Sequence, residues 1–487
     1  MKNNRAIQCL SLYSVYFLCL LIVFSCSPDP KIPVYGDFPT EVAEIFANKC
    51  ATSGCHNDAS YKGASNLNLT SFHNLFLGSS SGSPVIPYRS DFSSLVYFIN
   101  TYSDLGPINQ PTMPLNGKPL SKNEVLTIKK WIDQGAPDIN GHIMWSDGLN
   151  RKKYYVLNQG CDVVTVFDAD TQLPIRYINV GNNPSVAESP HMIRVSPDGK
   201  YWYVIFVANH ILQKYSTDDD ALVGEISLGN YQDWNTIAIS NDGKRAYCVS
   251  WNSNSRLAVV DLEHMKLLHN IGGGSFSDAH GVALNQSNDT LYITRQTGNY
   301  IYKIDTSLTA ILEVTLDNSK LPNPTSLLDP HEITFSPDGK TYFVSCQKSN
   351  EVRVMKTAGD LLIKVIQTGK YPLEFAKSIK HNQLFVTCQD EPSLNINSKG
   401  CVTAINMTTY QAQNYPVGYQ PHGIGVDDVR DLLIVASRNI LSSGPAPHHT
   451  GVCGRNGFVN YLDLNTMNVL SKKTEVASDP YSIAVKP

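Results

Sequence analysis

The stretch His331-Glu332-Ile333-Thr334-Phe335-Ser336-Pro337-Asp338-Gly339-Lys340 decides the fold, because its pattern returns elsewhere in the chain. Asp-Gly between alternating apolar runs is a strong signal for a two-residue β-hairpin. A close copy runs from His191 to Lys200, and Asn241-Asp242-Gly243-Lys244 gives a third hairpin of the same kind. A recurring hairpin predicts a recurring structural unit.

The repeat extends from residue 152 to the C-terminus with a period of 42 to 59 residues. Each unit contains four short strands, and four strands at this period are typical of the blades of a β-propeller. Aligning the hairpins gives seven units; six or eight would follow only from a miscounted degenerate unit. The residues that open the innermost strands are His191, Asn235, His280, His331, Leu373, His422 and Tyr481.

The first unit, from Lys153 to Val180, supplies three strands and no innermost one. The C-terminal strand 481–486 is therefore expected to complete the first sheet, which joins the chain ends and protects both edges. The repeat resembles the YVTN-type family of propellers. The resemblance implies an all-β seven-bladed propeller over residues 152–487, after a linker at 138–151.

A different motif precedes the propeller, Cys50-Ala51-Thr52-Ser53-Gly54-Cys55-His56. Two cysteines followed at once by a histidine are the attachment pattern of a c-type haem, in which the thiols hold the porphyrin and the imidazole binds iron. Four residues separate the cysteines here instead of the usual two. A small disulfide loop or half of a zinc site is the alternative.

Helical patterns flank this motif. Residues 40–49 form a short amphipathic stretch that leads into Cys50, and Ser121 with Glu124 forms a capping box at the start of a helix that reaches Gln134. Between them, Met113 lies between two prolines in a polar loop.

The succession of a cysteine motif, a loop with a methionine beside proline and a final helix resembles class I cytochromes c. The resemblance implies a small all-α haem domain over residues 38–137. By position, Cys50 and Cys55 would attach one haem c, with His56 as the proximal and Met113 as the distal iron ligand. His73 is the rival for the distal position. Two filled axial positions leave no coordination site for a substrate, which favours electron transfer over catalysis at the iron.

The N-terminus has the features of an export signal over residues 1–25, with Lys2 and Arg5 before an apolar stretch. Ser25-Cys26 resembles a bacterial lipobox, so Cys26 is predicted to carry a lipid and residues 26–37 to form a tether. An uncleaved anchor helix is the alternative. Either predicts a cell-envelope protein, periplasmic or on the outer membrane. The net charge is −4 and no basic run occurs, which argues against a nucleic-acid partner.

Four of the seven innermost-strand openers are histidines, and they are expected to converge on the propeller axis. His210, Arg295, Arg438 and the loop carrying His448, His449 and Cys453 are placed near the same rim. One interpretation is a second metal or cofactor site, since neutral imidazole suits copper, zinc or iron. The other is that each imidazole bonds the backbone of a neighbouring blade. The candidate ligands are His191, His280, His331, His422, His448 and His449.

Six cysteines lie in the propeller region. Cys388 ends one predicted strand and Cys401 begins the next, so a disulfide could close the loop between them, although the sequence does not fix the pairing. The others are Cys161, Cys248, Cys346 and Cys453.

Three functions are consistent with these features. The first is an electron-transfer cytochrome whose propeller docks a redox partner protein. The second is an oxidoreductase with a further metal or cofactor on the propeller face. The third is a non-enzymatic binding or scaffold propeller.

Overall fold

The computed structural model describes residues 35–146, 151–231, 233–272, 274, 276–392, 399–438 and 457–487. The predicted signal peptide and Cys26 lie outside the described residues, as do His448, His449 and Cys453. No helix in the described part of the chain has the length and apolarity needed to cross a membrane.

The N-terminal part, residues 35–146, is built from short helices joined by ordered loops. Its longer loops contain 3-10 turns at Tyr61–Gly63, Ser90–Phe92 and Ser103–Leu105. The α-helices are α1 Thr40–Ile45, which continues as a π-helical turn over Phe46–Cys50, α2 Phe72–Phe76, α3 Ser94–Ile99 and α4 Lys122–Asp133. The stretch predicted to form one helix up to residue 49 therefore widens after Ile45 and delivers Cys50 from the end of a π turn.

The first and last helices pack together beside the cysteine motif. The capping box predicted at Ser121 is present, because the Ser121 amide donates to Glu124 Oε2 at 2.7 Å and its hydroxyl accepts from the Glu124 amide. The Trp131 ring packs edge-on against Phe46, with centroids 6.2 Å apart. Lys49, next to Cys50, forms an ion pair with Glu124 at 2.7 Å. Aromatic packing and an ion pair thus fix α1 against α4.

Seven four-stranded antiparallel sheets follow, which confirms the predicted seven-bladed propeller. The strands of the first three blades in chain order are β1 Lys153–Asn158, β2 Val163–Asp168, β3 Leu173–Asn179, β4 Pro190–Val195, β5 Tyr201–Phe206, β6 Ile211–Ser216, β7 Leu222–Ser227, β8 Trp234–Ile239, β9 Arg245–Ser250, β10 Arg256–Asp261 and β11 Lys266–Gly272.

The remaining blades are built in the same way. Their strands are β12 Ala279–Leu284, β13 Thr290–Arg295, β14 Tyr300–Asp305, β15 Ile311–Thr315, β16 Pro330–Phe335, β17 Thr341–Cys346, β18 Glu351–Lys356, β19 Leu361–Gln367, β20 Pro372–Ser378, β21 Gln383–Cys388, β22 Cys401–Asn406, β23 Ala412–Pro416, β24 Pro421–Asp427, β25 Leu432–Ser437, β26 Gly457–Asp463, β27 Val469–Val476 and β28 Pro480–Val485.

The first sheet contains both ends of the propeller chain. Its order is β28-β1-β2-β3, and β28 pairs antiparallel with β1 through Tyr154 opposite Val485 and Val156 opposite Ile483. The last strand is therefore the innermost strand of the first blade. This pairing satisfies the backbone groups of both strands, which would otherwise be exposed as free edges.

The helical domain packs on the outer strands of the first and seventh blades, the two blades next to the chain closure. Arg89 donates to the Tyr177 carbonyl on β3 at 2.7 Å, and the Phe92 ring stacks on Tyr177 with centroids 4.3 Å apart. On β27, the Glu475 amide donates to the Ser81 carbonyl at 3.4 Å. The propeller thus supplies a wall to the helical domain.

Candidate functional site

A cavity of about 450 Å3 opens inside the helical domain, and the predicted haem-binding residues lie on its wall. The structure brings together Cys50, Cys55, His56 and Met113, although more than fifty residues of sequence separate the histidine from the methionine. The remaining wall is largely apolar, with contributions from Leu69, Leu95, Phe98 and Ile99. A pocket with apolar walls and a few convergent donor groups is typical of a cofactor site.

The loop between the cysteines is a compact turn. The Cys55 amide donates to the Thr52 carbonyl, and the His56 amide closes the loop by donating to the Cys50 carbonyl, each at 3.1 Å. Asn57 Nδ2 donates to the Thr52 carbonyl at 2.6 Å and anchors the turn. The four intervening residues are therefore accommodated while both thiols stay on the cavity wall.

Both cysteines of the motif are free thiols. Cys50 is buried at the end of the π turn, and this burial, reinforced by the neighbouring Cys55, raises the pKa of its thiol to about 12. Cys50 is therefore protonated at neutral pH. The free thiols do not match a disulfide loop, and the raised pKa of Cys50 does not match an activated thiolate at that residue.

The His56 ring is held by the backbone. Its Nδ1 lies 3.0 Å from the Leu67 carbonyl oxygen, and the Leu69 amide donates to the His56 carbonyl at 2.9 Å. An Nδ1–H that donates to a carbonyl leaves the Nε2 lone pair as the metal-binding atom, which is the usual orientation of a histidine ligand.

Met113 reaches the same cavity from the loop that precedes α4. Its amide donates to the Phe98 carbonyl at 2.7 Å, and its half-buried side chain packs against the hydrophobic core. His73, the rival distal ligand, is exposed on α2 and is not among the residues that form the cavity wall. Of the two candidates, only Met113 is placed where it could face the His56 site.

Sequence reasoning did not find the contribution of the propeller to this cavity. Glu475 on β27 forms part of the wall, next to Ser81 of the helical domain. No sequence pattern predicts that Glu475 lies near the cysteine motif, because Glu475 reaches the cavity wall only through the docking of the two domains.

The seven predicted openers occupy equivalent positions, each being the second residue of its innermost strand. Their side chains form a buried cluster at the propeller axis. The ring centroids of His280 and His331 are 3.8 Å apart, and those of His422 and Tyr481 are 3.7 Å apart. The histidines therefore converge on the axis as expected.

The imidazoles also contact the backbone of neighbouring blades. The Nδ1 atom of His191 lies 2.9 Å from the Asn235 carbonyl oxygen, and that of His280 lies 3.1 Å from the His331 carbonyl oxygen. The Nδ1 atom of His422 lies 2.8 Å from the Tyr481 carbonyl oxygen. The part of the chain that the structure describes contains no group of three or more histidine, cysteine, aspartate or glutamate residues placed to hold a metal ion. These contacts agree with the interpretation in which the imidazoles hydrogen-bond to the backbone of neighbouring blades, rather than with a metal site.

The two arginines expected near the rim are held by ion pairs. Arg295 contacts Asp278 at 3.2 Å, and the buried Arg438 pairs with the buried Asp479. Each aspartate directly precedes an innermost strand. The Arg295 pair ties β12 to β13 within one blade, whereas the Arg438 pair joins the seventh blade to the first. His210 lies half-buried in the loop between β5 and β6.

The disulfide that the sequence allowed between Cys388 and Cys401 is not formed. The two residues face each other across β21 and β22, but both are free, buried thiols, and Cys388 Sγ lies 3.3 Å from Thr403 Oγ1. The strand pairing already holds the ends of the loop, so a cross-link is not needed to close it. Cys161 is disulfide-bonded, whereas Cys248 and Cys346 are free.

A second cavity, of about 550 Å3, follows the propeller axis. Glu332 and Glu374 lie on its wall together with Arg194 and Lys377. Burial raises the pKa of both carboxyl groups, and the charge of Glu374 raises that of Glu332 further, whereas the Arg194 guanidinium acts in the opposite direction on both. These carboxyl groups were not predicted from the sequence, where each simply follows an opener of an innermost strand and belongs to no recognisable motif.

No protein-family model matches the chain, and no curated protein matches its sequence. Solved propeller structures do resemble it. A functionally unknown protein from Desulfotomaculum acetoxidans aligns with a TM-score of 0.50 at 15% identity, over 68% of this chain and 99% of the other. A candidate 6-phosphogluconolactonase from Bacteroides uniformis aligns with a TM-score of 0.51 at 11% identity, over 69% and 100%.

Hydrazine synthase from Kuenenia stuttgartiensis aligns with a TM-score of 0.49 at 17% identity, over 63% of this chain and 92% of the other. At these identities the likeness concerns the fold alone. The fold defines the class: a seven-bladed β-propeller preceded by a small helical domain.

Proposed function

We propose that this protein is an extracytoplasmic c-type cytochrome that transfers single electrons through one covalently bound haem, with the propeller as its docking domain. The observation that carries the proposal is the 450 Å3 cavity whose wall gathers Cys50, Cys55, His56 and Met113. Two thiols, an imidazole and a thioether form the donor set of a His–Met haem c.

The residues around the cavity fit this group. The two thiols are free for covalent attachment, and the Leu67 carbonyl orients His56 so that Nε2 is the donor atom. Bound haem would supply a one-electron couple between ferric and ferrous iron. A zinc half-site is disfavoured, because no three histidine, cysteine or carboxylate side chains among the described residues, Cys50, Cys55 and His56 included, are placed to hold one metal ion together.

The protein side chains would then set the chemistry. His56 and Met113 would hold the iron of such a haem and would leave no coordination position open to a substrate. The soft thioether of Met113 stabilises the reduced state and raises the reduction potential. Leu95, Phe98 and Ile99 keep water away from the site. Each of these effects favours electron transfer over catalysis at the metal.

The proposal includes a location and an anchor. Covalent haem c is made outside the cytoplasm, which agrees with the export signal predicted over residues 1–25. A lipid on Cys26 would hold the protein at a cell-envelope membrane, where a redox partner protein could dock on the propeller. Metabolic labelling with a radioactive fatty acid tests this, since Cys26→Ala should lose the label.

The decisive experiment is expression of the full chain in a bacterial host that attaches haem c. We expect haem that remains on the protein in a denaturing gel, sharp absorption bands on reduction and one iron per chain. The double variant Cys50→Ala/Cys55→Ala should lose covalent haem, whereas Cys248→Ala, which removes a buried propeller thiol, should keep it.

The proposal would be contradicted if the protein folds without haem in a host that attaches haem to another c-type cytochrome under the same conditions. The same metal analysis addresses the predicted second metal site, because iron alone at one per chain argues against it.

A further inference from the structure

The axial cavity of the propeller is separate from the haem cavity. Its closed end lies at the buried ring cluster of the openers, one residue before Glu332 and Glu374 on their strands. Its wall extends to the exposed Pro197 and Pro487, which connect it with solvent. Its volume of about 550 Å3 is in the range of pockets that enclose a small organic molecule.

Two carboxyl groups line the closed end of this cavity without sufficient partners. Glu332 is 4% exposed and Glu374 is 5% exposed. Glu332 Oε2 and Glu374 Oε1 have no hydrogen-bond partner among the residues that the structure describes. The other oxygen of Glu332 accepts only from the amide of Ile333 at 3.2 Å. Buried polar atoms are almost always paired, so these oxygens indicate a site that a ligand completes.

The neighbouring cations do not supply the missing partners. Arg194 donates to the Met192 sulfur at 2.7 Å and to the Ile193 carbonyl at 3.1 Å, and Lys377 donates to the Phe335 carbonyl at 2.8 Å. Arg194 is nevertheless close enough to favour the ionised form of both carboxyl groups. Burial raises the pKa of both carboxyl groups and Arg194 opposes that shift, so a further cation beside the pair would favour their ionised form.

We propose that the axial cavity binds a small organic monocation, an amine whose ammonium group donates hydrogen bonds to Glu332 and Glu374. An ammonium carries three donors and forms strong, charge-assisted bonds with carboxylates. A metal ion fits less well, because no third carboxylate, histidine or cysteine among the described residues joins the pair.

The rest of the cavity suits the hydrocarbon part of such an amine. Apolar side chains from several innermost strands lie along it, and burying alkyl groups against them adds hydrophobic free energy. These side chains are Ile237, Val282, Ile333, Phe375, Ile424 and Ile483.

The test is a calorimetric titration of the full-length protein with n-butylammonium chloride, beside uncharged n-butanol and calcium chloride. We expect the amine to bind, and Glu332→Gln and Glu374→Gln to weaken it at least tenfold. Glutamine keeps the volume of glutamate and removes only the charge. The exposed Glu263→Gln, on the outside of the propeller, should leave the affinity unchanged.

A second measurement needs no variant. In the wild-type protein, butylammonium should slow hydrogen exchange in peptides covering β16 and β20, and butanol should not. Equal affinity for butanol, unchanged affinity in both variants, or displacement of the amine by calcium would each overturn the proposal.

Discussion

The ion pair between Lys49 and Glu124 gives a test of how the turn that carries Cys50 and Cys55 is held. Glu124 lies in the first turn of α4 and accepts hydrogen bonds from the Ser121 amide and from Lys49, each at 2.7 Å. Glu124→Gln removes the charge but keeps an acceptor for the capping box, in which glutamine also serves. The variant therefore isolates the contribution of the ion pair beside Cys50.

The structure sets the size of the effect. The bond from Lys49, followed by those from Ser121, lowers the pKa of Glu124 from 4.5 to about 2. A shift of this size corresponds to at most about 3.4 kcal/mol. Both side chains are 27% exposed, and solvent screening reduces the expected contribution to about 1 kcal/mol.

The sign follows from the lowered pKa in the folded state. The stabilisation is fully present above the unfolded pKa of about 4.5 and is lost as the pH falls towards 2. Glu124→Gln should therefore destabilise the helical domain by about 1 kcal/mol at pH 7 and by less at pH 3.

Urea denaturation followed by circular dichroism, with hydrogen exchange of the α4 peptide as a local probe, measures this loss. Asp104→Asn is the matched control, since it breaks the exposed pair with Lys122 on the same helix and should change little. If Glu124→Gln unfolds at the same urea concentration as the wild type at pH 7, the ion pair does not stabilise the turn.

Three further outcomes are expected. Met113→Ala should retain covalent haem but lose the His–Met absorption signature and lower the reduction potential, as redox titration would show; an unchanged spectrum would rule it out as a ligand. When the protein is unfolded without reductant and treated with an alkylating reagent, mass spectrometry should find Cys388 and Cys401 alkylated; unmodified cysteines would indicate a disulfide. Gly423→Ala should cost about 1–3 kcal/mol in thermal unfolding, because its new methyl group would lie 2.8 Å from the Tyr481 carbonyl oxygen. Gly63→Ala, with open space around it, is its control, and equal losses would refute the steric argument.

The propeller could be predicted because its information is local and repeated. Each hairpin such as Ser336 to Lys340 specifies its own turn, and Ser336 Oγ contacts Asp338 at 2.7 Å within that turn. Counting hairpins therefore gives the number of blades. The position of each innermost strand also follows, since the seven openers share one position in the repeat.

Other features were out of reach because they depend on contacts between distant segments. The carboxyl pair of Glu332 and Glu374 lies in adjacent blades, and only the packing of these blades around a common axis places both on one cavity. Glu475 reaches the cavity lined by Cys50 and His56 through the docking of the two domains. The positions of Cys388 and Cys401 at strand ends allowed a disulfide without requiring one, because two facing cysteines can equally remain as packed thiols.

The two cavities are positioned to act independently. Glu475 belongs to β27, an outermost strand, whereas Glu332 and Glu374 belong to innermost strands. Strands in a sheet lie about 4.8 Å apart, so the three steps across a four-stranded blade separate its outer face from the axis by about 14 Å. An amine in the axial cavity should therefore leave the absorption of a haem at the outer face unchanged. Loss of amine binding in Glu332→Gln, with intact haem, would separate the two proposals, whereas failure to load haem leaves the axial site open to the same titration.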